Sequence, residues 1–151
     1  QFPEVQWTTS DLSENHSGIK SWLSDYKGNN INGPLEFEVG KTEFPEGDYD
    51  LVFSANTLHI MSWKEDKTFI KLLGKSLKQD ALVCFYGPFN YRGEFSSESN
   101  AKFDIWLKER NSKSGIRAFE DVTITMSKNG FSLLHDYEMP ANNRILIYQK
   151  S

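Results

Sequence analysis

FSLLHDYEMPANNRILIYQ, residues Phe131 to Gln149, is the stretch on which the fold turns. It holds two strand-like runs, Phe131–Glu138 and Arg144–Gln149, separated only by Met139-Pro140-Ala141-Asn142-Asn143. A parallel pair needs a crossover of about a dozen residues or more. This connection is too short for one, so the two strands are expected to be antiparallel.

Upstream of this hairpin, short strands alternate with amphipathic helices. Val5–Thr9 reads as a strand, followed by a helix whose stripe is Ile19, Trp22, Leu23 and Tyr26, at i, i+3, i+4, i+7. Leu35–Val39 alternates and reads as a second strand. Pro45-Glu46-Gly47-Asp48 turns the chain into Tyr49–Ser54, an apolar run of the kind buried on both faces of a parallel sheet. The step between these two strands has room for a short helix before Pro45. Ser62-Trp63-Lys64-Glu65 fits a capping box, and the helix it opens carries Phe69, Ile70, Leu73 and Leu77. Ala81–Tyr86 is another continuous apolar strand. Phe103, Trp106, Leu107 and Arg110 mark a third helix with possible serine caps at Ser96 and Ser97. A fourth spans Phe119–Lys128 and stops at Asn129-Gly130. Such alternation predicts an α/β domain, a mostly parallel sheet with helices on both faces and a C-terminal antiparallel hairpin strand.

The chain has 151 residues, enough for one domain over residues 1–151. Its formal net charge is -4, and Lys and Arg are scattered. Nucleic-acid binding draws most of its affinity from a basic face, so this composition speaks against it. No run approaches the ~20 apolar residues of a membrane span. The single cysteine, Cys84, sits in an apolar strand and reads as a small buried hydrophobe. A cytoplasmic location is the default for such a chain. The three histidines and one cysteine have no metal-ligand spacing.

Two segments, Asp50–Trp63 (DLVFSANTLHIMSW) and Tyr86–Asn100 (YGPFNYRGEFSSESN), carry a family resemblance. Ser114-Gly115-Ile116-Arg117 and Met139–Arg144 extend it over nearly the whole chain. Together they resemble an uncharacterised class I S-adenosylmethionine-dependent methyltransferase-like family related to methyltransferase-like protein 26, of the DUF938/UPF0585 type. The resemblance implies a Rossmann-like sheet with an added antiparallel strand. It also implies a first strand and a Gly-rich loop ahead of Val5. No GxGxG-like turn occurs in this sequence. The expectation is therefore a chain incomplete at its N-terminus, poorly stable or self-associating where a central strand is wanting.

The same resemblance implies S-adenosylmethionine as cofactor and suggests its contacts. Open α/β sheets bind ligands at the carboxyl ends of their strands. Asp11, with Leu12 beside it, matches the acidic position that accepts the ribose hydroxyls; it reads equally as a helix N-cap. Glu38-Val39 matches an acid near the adenine, or is a solvated strand end. Ser54, Ala55 and Asn56 end the next strand, where small residues let backbone approach a ligand. Asn56 alternatively forms a turn. For chemistry, His59 and Tyr86 are the candidates. An imidazole titrating near neutrality accepts a proton from an attacking O or N atom; the other reading of His59, which the sequence favours slightly, is a residue capping or bridging its turn. Acceptor contacts are expected from Trp63, Asn90, Tyr91, Arg92, Arg117, Asn142, Asn143 and Arg144. The guanidinium fork suits a carboxylate or phosphate, and the alternative is that these residues shape their loops. The activity implied is methyl transfer to an unknown small molecule; the alternative is a methyltransferase-fold protein that binds a ligand or partner without catalysis.

Overall fold

A computed structural model describes residues 3–151. The chain forms two compact units, divided after Gly47.

In the first unit, β1 (Trp7–Asp11) pairs in parallel with β2 (Ile31–Glu36) through α1 (His16–Asp25). A 3-10 turn at Ser13–Asn15 leads into α1. Both strands differ from the sequence expectation. β1 starts and ends two residues later than Val5–Thr9, and β2 begins at Ile31, so Phe37-Glu38-Val39 lie beyond it. The cause is Asn30. Its backbone carbonyl accepts from Trp7 N at 2.8 Å and its amide donates to Val5 O at 2.7 Å, so the ladder starts there. Past Glu36 the chain curls, with Lys41 N and Thr42 N both donating to Glu38 O at 3.0 Å. No helix forms between β2 and Pro45. The α1 stripe is also tilted: Ile19 and Leu23 are half-buried, whereas Trp22 is 81% exposed.

The second unit holds a four-stranded sheet in the order β3-β4-β8-β7. These strands are β3 (Leu51–Ala55), β4 (Leu82–Gly87), β7 (Phe131–Met139) and β8 (Asn143–Lys150). β3 and β4 are parallel, β8 is antiparallel to β4, and β7 and β8 form the expected antiparallel hairpin. The hairpin turn places Ala141 and Asn142 at φ of 60° and 57°. β3 is an edge strand of this sheet and leaves Leu51 and Phe53 40% and 48% exposed. Two short strands that no periodicity reveals, β5 (Phe89–Asn90) and β6 (Arg117–Ala118), pair in parallel.

Three helices complete this unit: α2 (Trp63–Ser76), α3 (Glu98–Arg110) and α4 (Phe119–Lys128). The Ser62/Glu65 capping box is present in both directions, and Ser97 caps α3 by accepting from Asn100 N. The core gathers Val83 and Phe85 of β4, Leu146 and Tyr148 of β8, Ile70 and Leu73 of α2, and Val122 and Met126 of α4. Phe85 meets Phe69 and Tyr148 edge-on at 6.2 and 6.1 Å. The buried face of α3 is not the aromatic stripe expected. Trp106 is largely exposed, and Asn100, Asp104 and Leu107 point inward. Those polar groups are matched: Asn100 Nδ2 donates to Asn142 O at 3.0 Å, and Asp104 Oδ1 accepts from Ile116 N at 2.8 Å. Among the described residues no helix is long and apolar enough to cross a membrane.

Candidate functional site

The carboxyl ends of β3 and β4 lie side by side, and the expected chemistry-bearing residues of the second unit collect there. Asn56 follows β3 in a left-handed conformation, φ 56°, which asparagine tolerates, and its N–H donates to Tyr86 O at 2.8 Å. Gly87 ends β4. A Cβ on it would lie 3.5 Å from His59 Nδ1 and 3.6 Å from Asn56 Oδ1, so both side chains converge on this glycine. The Tyr86 hydroxyl accepts from Asn143 Nδ2 at 3.1 Å, which brings the hairpin turn to the same edge.

His59 is 5% exposed and meets Phe103 edge-on at 5.3 Å. Neither ring nitrogen makes a hydrogen bond among the described residues. Burial, and then the charge of Arg117, lower its pKa from 6.5 to about 4. The imidazole is therefore neutral at neutral pH and keeps a lone pair to accept a proton.

The backbone that presents His59 is pinned by the segment 114–117. Leu58 O accepts from Arg117 Nε at 3.2 Å, His59 O from Gly115 N at 2.9 Å, and Ile60 O from Ser114 Oγ at 2.6 Å. Met61 O accepts from Arg117 Nη2. Four successive carbonyls are thus tied to one short segment, which Asp104 anchors through Ile116 N. Arg117 Nε also pairs with Asp66 Oδ2 at 2.5 Å. Asp66 is fully buried and its Oδ1 has no partner. Burial raises its pKa from 3.8 to about 7 against the opposing pull of Arg117. Arg117, expected as an acceptor contact, therefore engages Nε and Nη2 in holding the His59 turn.

Beside this segment lies an open cavity of about 260 Å³ lined by Trp63, Asn90, Ile116, Arg117, Ala118 and Asp121. Trp63, Asn90 and Arg117 are three of the expected acceptor contacts, and the fold brings them to one place. Asn90 Oδ1 is buried and has no hydrogen-bond partner. The other acceptor candidates are engaged elsewhere. The Tyr91 hydroxyl donates to Asp136 Oδ2 at 2.8 Å, and Arg144 Nε donates to Asp136 Oδ1 at 2.8 Å. Arg144 also pairs with Glu138 at 3.0 Å and lies over the Tyr91 ring. Burial raises the Tyr91 phenol and Asp136 supports the same direction. Arg92, at φ 53°, uses its N–H on Glu120 Oε1 at 2.9 Å. Asn142 donates to Ser99 Oγ at 3.2 Å. Cys84 is half-buried, and burial raises its thiol.

In the first unit, Asp11 ends β1. Its Oδ1 accepts from Leu12 N at 2.7 Å and Asn15 Nδ2 at 2.8 Å. Oδ2 has no partner among the described residues. Leu12, not Asp11, occupies the N-cap position of the 3-10 turn. Glu38 lies in the curl after β2, where it pairs with Lys41 at 2.6 Å, and Val39 follows it.

Sequence reasoning missed Asp66, Asp104, Asn100 and Asp121. For Asp66 a signal existed: Asp66, Phe69, Ile70 and Leu73 fall at i, i+3, i+4, i+7, which puts a carboxylate in an apolar stripe. Such a position asks for a buried cation, and Arg117 supplies it.

The family described as "Protein of unknown function (DUF938)" matches residues 1–150. Solved structures resemble the chain in three dimensions. The mitomycin 7-O-methyltransferase MmcR matches with a TM-score of 0.85 and 15% identity, over 99% of this chain and 43% of its own. Human N-acetylserotonin methyltransferase, in complex with SAM, matches at 0.81 and 16% identity, over 99% and 42%. A protein described as a pericyclic reaction enzyme matches at 0.79 and 11% identity, over 97% and 36%. The chain spans less than half the length of these structures. The likeness establishes the α/β fold as the Rossmann-like fold of class I methyltransferases, with a mixed sheet.

Proposed function

This chain belongs to the DUF938 family of proteins of unknown function, and from that premise we propose that it is an S-adenosylmethionine-dependent methyltransferase acting on a small molecule in the cytoplasm. The observation that carries this reading is the convergence of Asn56, His59 and the Tyr86–Asn143 pair on the carboxyl edge of β3 and β4. Fold alone does not assign chemistry, whereas a buried, neutral, unbonded imidazole at a ligand-binding edge is a specific device. The likeness of its segments to methyltransferase-like protein 26 supports the same reading. So do the neighbours described as methyltransferases for mitomycin and N-acetylserotonin.

Each unit by itself offers residues that suit part of the cofactor. In the first, Asp11 keeps Oδ2 to accept a ribose hydroxyl while Oδ1 holds its own turn, and Glu38-Val39 is the proposed adenine contact. In the second, Ser54, Ala55 and Asn56 put small side chains and an amide at a strand end. When bound, S-adenosylmethionine supplies a methyl group on a sulfonium, which departs as a neutral thioether. His59 takes up the proton that a hydroxyl or amine acceptor releases. Tyr86, oriented by Asn143, fixes the acceptor's attacking atom, and positioning is the larger part of the catalysis.

The alternative is a protein of this fold that binds ligand without methyl transfer. The low proton affinity of His59 favours it, since a base of pKa about 4 is weak, and one neighbour is described as a pericyclic reaction enzyme. Thermal unfolding with S-adenosylhomocysteine tests the shared premise of both. At about 100 times Kd a ligand specific to the folded state adds about 2.7 kcal/mol, so Tm rises. An unchanged Tm at millimolar ligand removes the methyltransferase reading. Formation of S-adenosylhomocysteine on addition of an acceptor separates it from the alternative.

A further inference from the structure

The turn that carries His59 is held from outside itself. Within it, Ile60 N and Met61 N fold back on Thr57 O at 3.1 and 3.3 Å, while the carbonyls of Leu58, His59, Ile60 and Met61 all accept from Ser114, Gly115 and Arg117. That segment is clamped in turn from two sides. Toward α3, a Cβ on Gly115 would lie 2.9 Å from Asp104 Oδ1 and 3.0 Å from Lys108 Cε, so the close approach of backbone needs glycine. Toward α2, Arg117 is fixed by Asp66, which is fully buried and leaves Oδ1 without a partner. Burying an ion pair in this way adds little net stability, because desolvation offsets the attraction; what the pair fixes is geometry. The geometry fixed is that of an imidazole. Among the described residues, Asp66 Oδ1 and Asn90 Oδ1 are the only side-chain N or O atoms both sealed from solvent and without a partner, so the unbonded His59 nitrogens still reach solvent.

We propose that Arg117, with Ser114 and Gly115 beside it, is the positioning residue of His59: it sets where the imidazole stands against Gly87 and Phe103, and it acts on an acceptor only through that ring. The inference rests on the methyltransferase reading only in making His59 the base; the positioning is a property of the folded chain alone. Charge and placement are separable here. Arg117 acts on His59 by its charge as well as through its hydrogen bonds. The other charged groups on the helices packed about the turn are Glu65 and Asp66 of α2 and Asp104 and Lys108 of α3. Ser114→Ala leaves every one of these groups in place and removes only the bond to Ile60 O. Arg117→Lys keeps a positive charge but replaces a planar fork by a point charge, which does not span Leu58 O, Met61 O and Asp66 together.

The test reads the His59 ring by NMR in protein labelled at histidine, with His16 and His135 as internal controls. At pH 7 the ring lies edge-on to Phe103 at 5.3 Å, and the ring-current shift reports that placement. At pH 5 a group titrating at about 4 is about one-tenth charged. Both variants are expected to lose most of the ring-current shift. With the ring opened to water, both are also expected to be about half charged or more at pH 5, a midpoint raised by about one pH unit. The His16 and His135 signals are expected to stay in place. Where Arg117→Lys does not fold, Ser114→Ala decides alone. An unchanged His59 spectrum in folded Ser114→Ala overturns the proposal whatever Arg117→Lys shows, because Arg117 then acts by charge and the segment is scaffold only. Movement of all three histidines together overturns it as well, since that is general loosening. Titration of the parent protein with S-adenosylhomocysteine is scored separately. Its failure, with His59 displaced in the variants, removes the methyltransferase reading and keeps the positioning role. Its success, with His59 indifferent to Ser114→Ala, does the reverse.

Discussion

His59, before α2, and Asp66, within it, are shifted in opposite senses by the same cause. Burial disfavours charge on each, so His59 falls to about 4 and Asp66 rises to about 7. For His59 the unfolded chain binds the proton first on acidification, so stability falls as pH drops from about 6.5 to about 4, by up to about 3 kcal/mol. For Asp66 the folded chain holds the proton longer, so its contribution is complete below about pH 3.8 and is lost as pH rises toward 7. The two slopes oppose each other over the same window. Urea unfolding of the parent protein is therefore expected to show little pH dependence between about 4 and 6.5. His59→Gln should leave stability that falls with rising pH, and Asp66→Asn stability that rises with it. Parallel slopes in the two variants contradict the assignment. Asp66→Ala at pH 8 strands Arg117 and is expected to cost about 3–5 kcal/mol in the same measurement. At this scale the sequence shows residue types at strand ends well. Asn56, His59 and Asn90 stood out as candidates because they follow strands, where open sheets bind ligands. Asp104 did not, because its burial depends on a partner 12 residues away, and for Asp66 the apolar stripe was visible but its partner Arg117, 51 residues away, was not.

Among the elements, α2 and α4 follow from local signals alone. The capping box fixes the start of α2, and Ser62→Ala is expected to cost about 1 kcal/mol, read by thermal or urea unfolding. Gly74 in the last turn of α2 gives a sharper prediction. Helix propensity favours alanine over glycine by about 1 kcal/mol. A Cβ on Gly74 would lie 2.7 Å from Asn129 O, at the end of α4, so Gly74→Ala is expected to destabilise despite propensity. A rise in stability would show that α2 and α4 are not this close. The faces of α3 and the bounds of β2 were harder to read. α3 buries Asn100 and Asp104 to grip the hairpin turn and the 114–117 segment, a demand that no hydrophobic pattern encodes. β2 runs through Asn32-Gly33-Pro34, residues that read as a turn until Trp7 pairs with Ile31. Two-residue strands such as β5 and β6 have no periodicity to find.

On the scale of the whole molecule, the short connection at Met139–Asn143 was decisive, since chain length forbids a crossover there whatever the side chains are. The antiparallel β7–β8 hairpin follows from it, while the α2 crossover sets β3 and β4 parallel. Ligand chemistry is less legible at this scale, because a fold shared with methyltransferases and with a pericyclic reaction enzyme hosts more than one reaction. The most direct test of the account is calorimetric titration of S-adenosylhomocysteine into the protein, with Asn56→Ala beside it. The account predicts saturable one-to-one binding, weakened at least about tenfold by the substitution, or about 1.4 kcal/mol. No heat of binding from a folded sample, or binding indifferent to the substitution, contradicts it.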